Sequence, residues 1–141
     1  MDRLRYEGLC EGLNDKAEFW TISLHKRERL EVYENSLDKL REFTAVFAVS
    51  DFYAVELMHF LMDKGIRIPE DISVVGFDGS LLCSCVTPDL TSVHQNSRSR
   101  AVMALNLLQQ LKENMSFKED VLLPVRLIAG GSSAPARKFP L

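Results

Sequence analysis

Two carboxylates stand just past two apolar runs. Asp51 follows Thr44-Ala45-Val46-Phe47-Ala48-Val49-Ser50, and Asp78 follows Ile72-Ser73-Val74-Val75-Gly76-Phe77. Runs that stay apolar at nearly every position read as strands buried on both faces, as in a parallel sheet covered by helices. Ligands of open α/β sheets bind in the crevice beyond the carboxyl ends of such strands. Asp51, Asp78 and Ser50 are therefore expected on one rim. The competing reading is structural: Asp51 or Ser50 can cap the following helix, and Asp78 can stabilise the turn at Gly79. Two more side chains could serve a ligand. Trp20, the only tryptophan, offers an aromatic face on which the apolar side of a sugar ring could lie, with core packing as the equal alternative. Arg5 offers a forked donor for carboxylates or hydroxyls, unless it is simply solvated.

Paired carboxylates can also perform acid–base catalysis, but that chemistry needs a partner with a displaced pKa and a reaction centre between them. The three histidines, His25, His59 and His94, belong to no recognisable triad, and neither a G-x-S-x-G elbow nor a phosphate-cradling loop is present. Gly76-Phe77-Asp78-Gly79 alone is not a dinucleotide fingerprint. Cys10, Cys83 and Cys85 are odd in number and read as reduced thiols, and Cys83-x-Cys85 without a nearby histidine is a poor zinc site. The expectation is a binding module with no catalytic residue, no metal site and no cofactor.

The elements that must position these residues follow from periodicity. Tyr6, Leu9, Cys10 and Leu13 form one helical stripe, with Gly8 and Gly12 suggesting a close approach by another element. Phe19-Trp20-Thr21-Ile22-Ser23-Leu24 reads as a short strand. Leu30, Tyr33, Leu37, Leu40 and Phe43 predict one helix over about residues 27 to 43. After Asp51, the residues Val55, Met58, Phe60, Leu61 and Met62 predict a helix that Gly65 closes. A strand, helix, strand series with short links implies right-handed crossovers. Residues 97 to about 113 predict a last helix with Val102, Leu105, Leu108 and Leu111 inward. Val121 to Ile128 reads as a strand, and its internal Pro124 puts it at an edge or a bulge. The glycine- and serine-rich stretch from Gly130 reads as a flexible tail over residues 130–141.

With 141 residues and 16.0 kDa, the chain is long enough for one buried core. It carries 17 Lys+Arg against 20 Asp+Glu, a net charge of −3, which argues against nucleic-acid binding by these residues themselves. No apolar run approaches the length of a membrane helix, and Met1-Asp2-Arg3-Leu4-Arg5 lacks the apolar stretch of a secretory signal. The expected setting is cytoplasmic, with no membrane partner.

Three blocks carry a resemblance. Thr44 to Asp51, then Gly65-Ile66-Arg67-Ile68-Pro69-Glu70-Asp71-Ile72-Ser73-Val74-Val75-Gly76-Phe77-Asp78, then Thr87-Pro88-Asp89-Leu90-Thr91-Ser92-Val93-His94-Gln95 closely resemble, in order and spacing, the effector-binding core of the LacI/GalR family of bacterial transcription regulators. The resemblance implies an α/β fold: an open parallel sheet with helices on both faces, the C-terminal lobe of a periplasmic binding protein type I-like domain. That lobe would occupy residues 1–129, with helix 97–113 crossing to a first lobe outside this chain. It further implies a small-molecule effector, a sugar or a nucleobase, and operator DNA bound only through an N-terminal helix-turn-helix domain. Arg5 would donate to the ligand, Trp20 would fall near an aromatic stacking position, Asp78 would accept from hydroxyls or ring nitrogens, and Gln95 would sit at the crossover. Ser50 stands where the family usually has Asn. Gly79 stands where it usually has a second Asp, which is more like periplasmic sugar-binding proteins of the same fold, the alternative reading; the Ile68 to Ser73 block favours the regulator. The resemblance also implies a homodimer, with Tyr53, Glu56, Leu81 and Leu82 as interface candidates. Lacking one lobe's contacts, this chain is expected to bind effector weakly or undetectably.

Overall fold

The apolar run Ile72 to Phe77 forms the central strand of a four-stranded sheet in a computed structural model that describes residues 2–113 and 120–138. This strand, β2 (Ser73–Asp78), is flanked by β1 (Ala45–Phe47) and β3 (Thr91–Gln95), both parallel to it, and β4 (Val125–Ile128) completes the order β1-β2-β3-β4. Ala45 lies opposite Ser73, Val75 opposite Thr91, and Asp78 opposite His94. β4 runs antiparallel to β3, with Ser92 opposite Ile128, so the sheet is mixed rather than wholly parallel. β4 begins only after Pro124, which has no N–H to give to a ladder.

The helices are α1 (Asp2–Leu13), α2 (Lys26–Asn35), α3 (Leu37–Glu42), α4 (Asp51–Asp63) and α5 (Ser97–Glu113). The single helix expected over residues 27 to 43 breaks at Ser36, whose backbone leaves helical geometry. Asn35 and Ser36 both compete locally for backbone hydrogen bonds, which favours a helix end there. α4 supplies the core: Ala54, Met58 and Leu61 are fully buried against Ile72, Val74 and Leu90. Its end is closed as the sequence suggests, with Gly65 at φ +75° and the Ile66 N–H returning to the Leu61 carbonyl at 3.0 Å.

Four further expectations need correction. Residues 16–23 adopt neither helix nor strand and pair with no described element: ladder pairing requires a neighbour, and β1 is paired only with β2. Trp20 and Ile22 nevertheless pack against the core. Gly8 and Gly12 meet nothing within 4 Å of where a side chain would begin, so no close approach explains them. The apolar face of α5 is not inward: no described residue of the helix is buried, and Val102, Leu105 and Leu108 are 53%, 66% and 62% exposed.

The fourth correction concerns the tail. Ser132 is fully buried and stitches two strands: its hydroxyl donates to the Val74 carbonyl at 2.6 Å and accepts the Thr91 N–H at 2.8 Å. Its carbonyl accepts the Val74 N–H at 2.8 Å, and its own N–H donates to Asp89 at 3.0 Å. Further on, Arg137 donates to the carbonyls of Asp71 at 2.7 Å and Phe43 at 3.1 Å. Residues 130–137 are thus fixed against the sheet rather than loose. The glycine there serves close approach, since a Cβ on Gly130 would lie 2.4 Å from the Asp89 carbonyl oxygen. The last three residues of the expected tail lie outside the described ones.

Candidate functional site

The carboxyl ends of β1, β2 and β3 bring together four side chains. Asp78 ends β2 at φ +117°, a conformation rare for any residue with a side chain, and Gly79 follows at φ +66°. A Cβ on Gly79 would stand 2.3 Å from Nδ1 of His94, so the turn admits only glycine. Such a backbone costs about 1–3 kcal/mol and persists only where its surroundings hold it. Here the Gly79 N–H donates to the Ser92 hydroxyl at 3.1 Å, and the Gly79 carbonyl lies 3.1 Å from His94 Nδ1. Gln95, at the end of β3, donates from Nε2 to Asp78 Oδ1 at 3.0 Å.

Arg5 reaches this rim from the first turns of α1. Nη1 donates to the Val49 carbonyl just beyond β1, Nη2 lies 3.8 Å from Asp78 Oδ1, and the guanidinium sits 3.9 Å from the centre of the Phe77 ring. Phe47 meets Phe77 edge-on at 6.3 Å. The rim therefore brings together a guanidinium, a carboxylate, an amide and an aromatic ring. Ser50, half-buried, is the residue before α4 on the same side, and its hydroxyl makes no capping bond.

Asp51 is not on that rim. It is only 1% exposed, and both oxygens are engaged: Oδ1 accepts the Ser92 hydroxyl at 2.5 Å and Oδ2 accepts the Ser80 N–H at 2.6 Å. A Cβ on Gly76 would lie 2.5 Å from Oδ1, so glycine there makes room for the carboxylate. Asp51 ties the start of α4 to β3 and to the loop after β2, and the helix N-terminus favours its negative charge. The neighbouring Cys83 thiol is pushed up to about 11, first by burial and then by the Asp51 charge, which leaves it unreactive.

Trp20 has other partners. Its indole N–H donates to Glu18 at 2.5 Å, its ring meets Phe43 edge-on at 5.9 Å, and the Lys39 ammonium lies 5.7 Å from its centre. It lines an apolar cavity of about 490 Å³ along the outer side of β1, with Leu9, Ile22 and Val46.

Of the interface candidates, Glu56 is used internally. Arg29, itself buried, grips it at 2.7 and 2.9 Å, and the Glu56 side chain is only 11% exposed. Tyr53 is half-buried, with the Arg29 guanidinium 5.1 Å from its ring. Leu81 and Leu82 face outward, Leu81 at 87% exposure, and Phe52 in the first turn of α4 is also exposed. Sequence reasoning missed Phe77, Ser92 and Arg100 at or beneath the rim. Arg100 Nη1 donates to Gln95 Oε1 at 2.9 Å, and its one visible signal is its place five residues past Gln95, in the first turn of α5. Among the described residues, no three metal-ligating side chains come together, and no helix is long and apolar enough to cross a membrane.

Residues 7–133 match the model of the periplasmic binding protein-like domain. The HTH-type transcriptional repressor PurR of Vibrio atlanticus is 48% identical over 71 residues, which cover 50% of this chain and 21% of that repressor. A LacI family transcriptional regulator from Enterococcus faecalis V583, solved with bound ribose, superposes with a TM-score of 0.83 at 29% identity, covering 96% of this chain and 50% of that one. The lac repressor dimer bound to operator and the anti-inducer ONPF superposes with a TM-score of 0.80 at 27% identity, covering 93% and 47%. The chain thus spans about half the length of these solved chains and a smaller share of the curated repressors it matches. It belongs to the periplasmic binding protein-like domain family, on the branch of the effector-binding domains of LacI/GalR regulators.

Proposed function

We propose that this chain forms one wall of the effector site in a LacI-type transcriptional regulator. The observation that carries the reading is the convergence of Arg5, Phe77, Asp78 and Gln95 at the strand ends. These groups suit a polyhydroxylated ligand: Asp78 accepts a hydroxyl, and Arg5, braced on the Phe77 ring, donates to ring or hydroxyl oxygens. The ribose seen in the Enterococcus faecalis regulator supports a sugar. Ser50 adds a hydroxyl at the edge of the site, and Trp20 serves the apolar cavity beside β1. The work of the site is recognition, with no catalytic step, cofactor or metal.

In the whole regulator, a second lobe would close on the ligand and shift the balance between operator-bound and released states. Operator DNA would be held by a separate domain, in a cytosolic homodimer to which Leu81, Leu82 and Tyr53 contribute. A wall without its opposing lobe holds a sugar weakly, on the order of millimolar. Calorimetry with D-ribose, lactose and cellobiose tests the reading. Weak heats lost in Asp78→Asn are expected, and sub-micromolar binding, or binding indifferent to Asp78→Asn, contradicts it. The one feature favouring a periplasmic sugar-binding protein instead is Gly79, and an apolar export signal upstream in the parent reading frame, in place of a helix-turn-helix, would decide for it.

A further inference from the structure

The Gln95 side chain bonds in two directions: Nε2 donates to Asp78 Oδ1 at 3.0 Å, and Oε1 accepts from Arg100 Nη1 at 2.9 Å. A primary amide has two ends of nearly equal shape, and its terminal torsion is broad. Its two neighbours are not ambivalent. A guanidinium can only donate and a carboxylate can only accept, so the pair permits one orientation of the amide. Arg100 is itself held. It lies in the first turn of α5, its N–H donates to the Asn96 carbonyl at 3.0 Å, and the Asn96 side chain accepts the Ser99 N–H at 2.9 Å.

We propose that Arg100 is a positioning residue for the ligand-accepting carboxylate: by anchoring Gln95 Oε1 it keeps Nε2 on Oδ1 of Asp78. The proposal rests on the reading of Asp78 as a ligand acceptor. With Oδ1 committed to Gln95, and Arg5 Nη2 3.8 Å from that same oxygen, Oδ2 is the oxygen offered to a ligand. The site then selects ligands that present a donor there, a hydroxyl or an N–H, over ligands that present an acceptor. The same relay joins the start of α5 to the end of β2, so a displacement of α5 reaches the binding carboxylate through two hydrogen bonds.

The test reads Gln95 directly. Side-chain amide resonances of the whole chain are recorded for the wild type, Arg100→Ala and Arg100→Lys, with the Gln95 pair assigned by its loss in Gln95→Ala. In Arg100→Ala the Gln95 amide protons are expected to exchange with solvent about fivefold faster and to move toward the resonances of the α5 surface glutamine Gln110, the size of effect expected for one lost hydrogen bond. Arg100→Lys, which keeps a donor, is expected to restore most of the change, while helix content and melting temperature stay equal in all three. Unchanged Gln95 resonances in Arg100→Ala, or equal changes in Arg100→Lys, overturn the proposal. Titration with D-ribose adds a second reading, with affinity expected to fall about fivefold in Arg100→Ala and to recover in Arg100→Lys. If the wild type binds no ribose, the ribose reading fails, while the amide resonances still decide the role of Arg100.

Discussion

β2 and α5 sit in opposite circumstances. β2 is covered by α4, paired on both sides, and stitched by Ser132 to the start of β3. α5 carries an equally regular apolar stripe, yet among the described residues it buries none of it, leaving Val102, Leu105 and Leu108 more than half exposed. The difference teaches that periodicity announces that a face is meant to be covered but not that the same unit covers it.

The largest expected contrast is between Leu61 and Leu105. Leu61→Ala removes a fully buried side chain beneath α4 and should cost about 2–5 kcal/mol in urea unfolding, whereas Leu105→Ala should fall within about 0.5 kcal/mol of the wild type. Equal losses would mean that α5 packs on this unit in solution and would erase the distinction. Ser132→Ala comes next. It strips a buried donor and acceptor from Thr91 and Val74, and a loss of about 1–3 kcal/mol is expected in the same measurement; a neutral result would restore the loose tail.

A pH dependence sharpens the packed side further. Hydrogen bonds from Arg67, chiefly, hold the Asp71 carboxyl down at about 2, below its ordinary 3.8. A folded-state value below the unfolded one contributes stability that is complete above about pH 4 and is lost as pH falls toward 2. Acid unfolding of Asp71→Asn should therefore lack that part of the wild-type slope. The smallest effect on stability, and the clearest on association, is expected on the open side. Leu105→Glu with Leu108→Glu should leave the melting temperature unchanged and shift any self-association seen by sedimentation toward monomer.

The legible parts of the fold share one property: their signals are satisfied locally. The continuous apolar runs marked β1 and β2, although only β2 is largely buried and β1, at the sheet edge, leaves Ala45 exposed, and Gly65 marked the end of α4, because left-handed closure is written in adjacent residues. Phe19 to Leu24 has strand-forming residues, yet a strand exists only when another chain segment pairs with it. Gly130 to Ser133 has the composition of a linker, and only the distance to the Asp89 backbone reveals that small residues are needed for contact. In the candidate site, Asp78 was legible as a strand end, Gln95 only through the resemblance, and Arg5 through its forked donors as well as the resemblance. Asp51 misled because a cap position and a rim position look alike in sequence; burial and the Ser92 hydroxyl separate them. Arg100 was not legible, since it touches the site only through Gln95.

The central claim is that Arg5, Asp78 and Gln95 form a ligand-binding wall. Chemical-shift mapping of the whole chain during a D-ribose titration tests it most directly. The expected result is a saturable set of shifts confined to Arg5, Phe77, Asp78, Gly79 and Gln95 and abolished in Asp78→Asn. Shifts that instead gather around Trp20 and the cavity beside β1, or that survive Asp78→Asn, would contradict it.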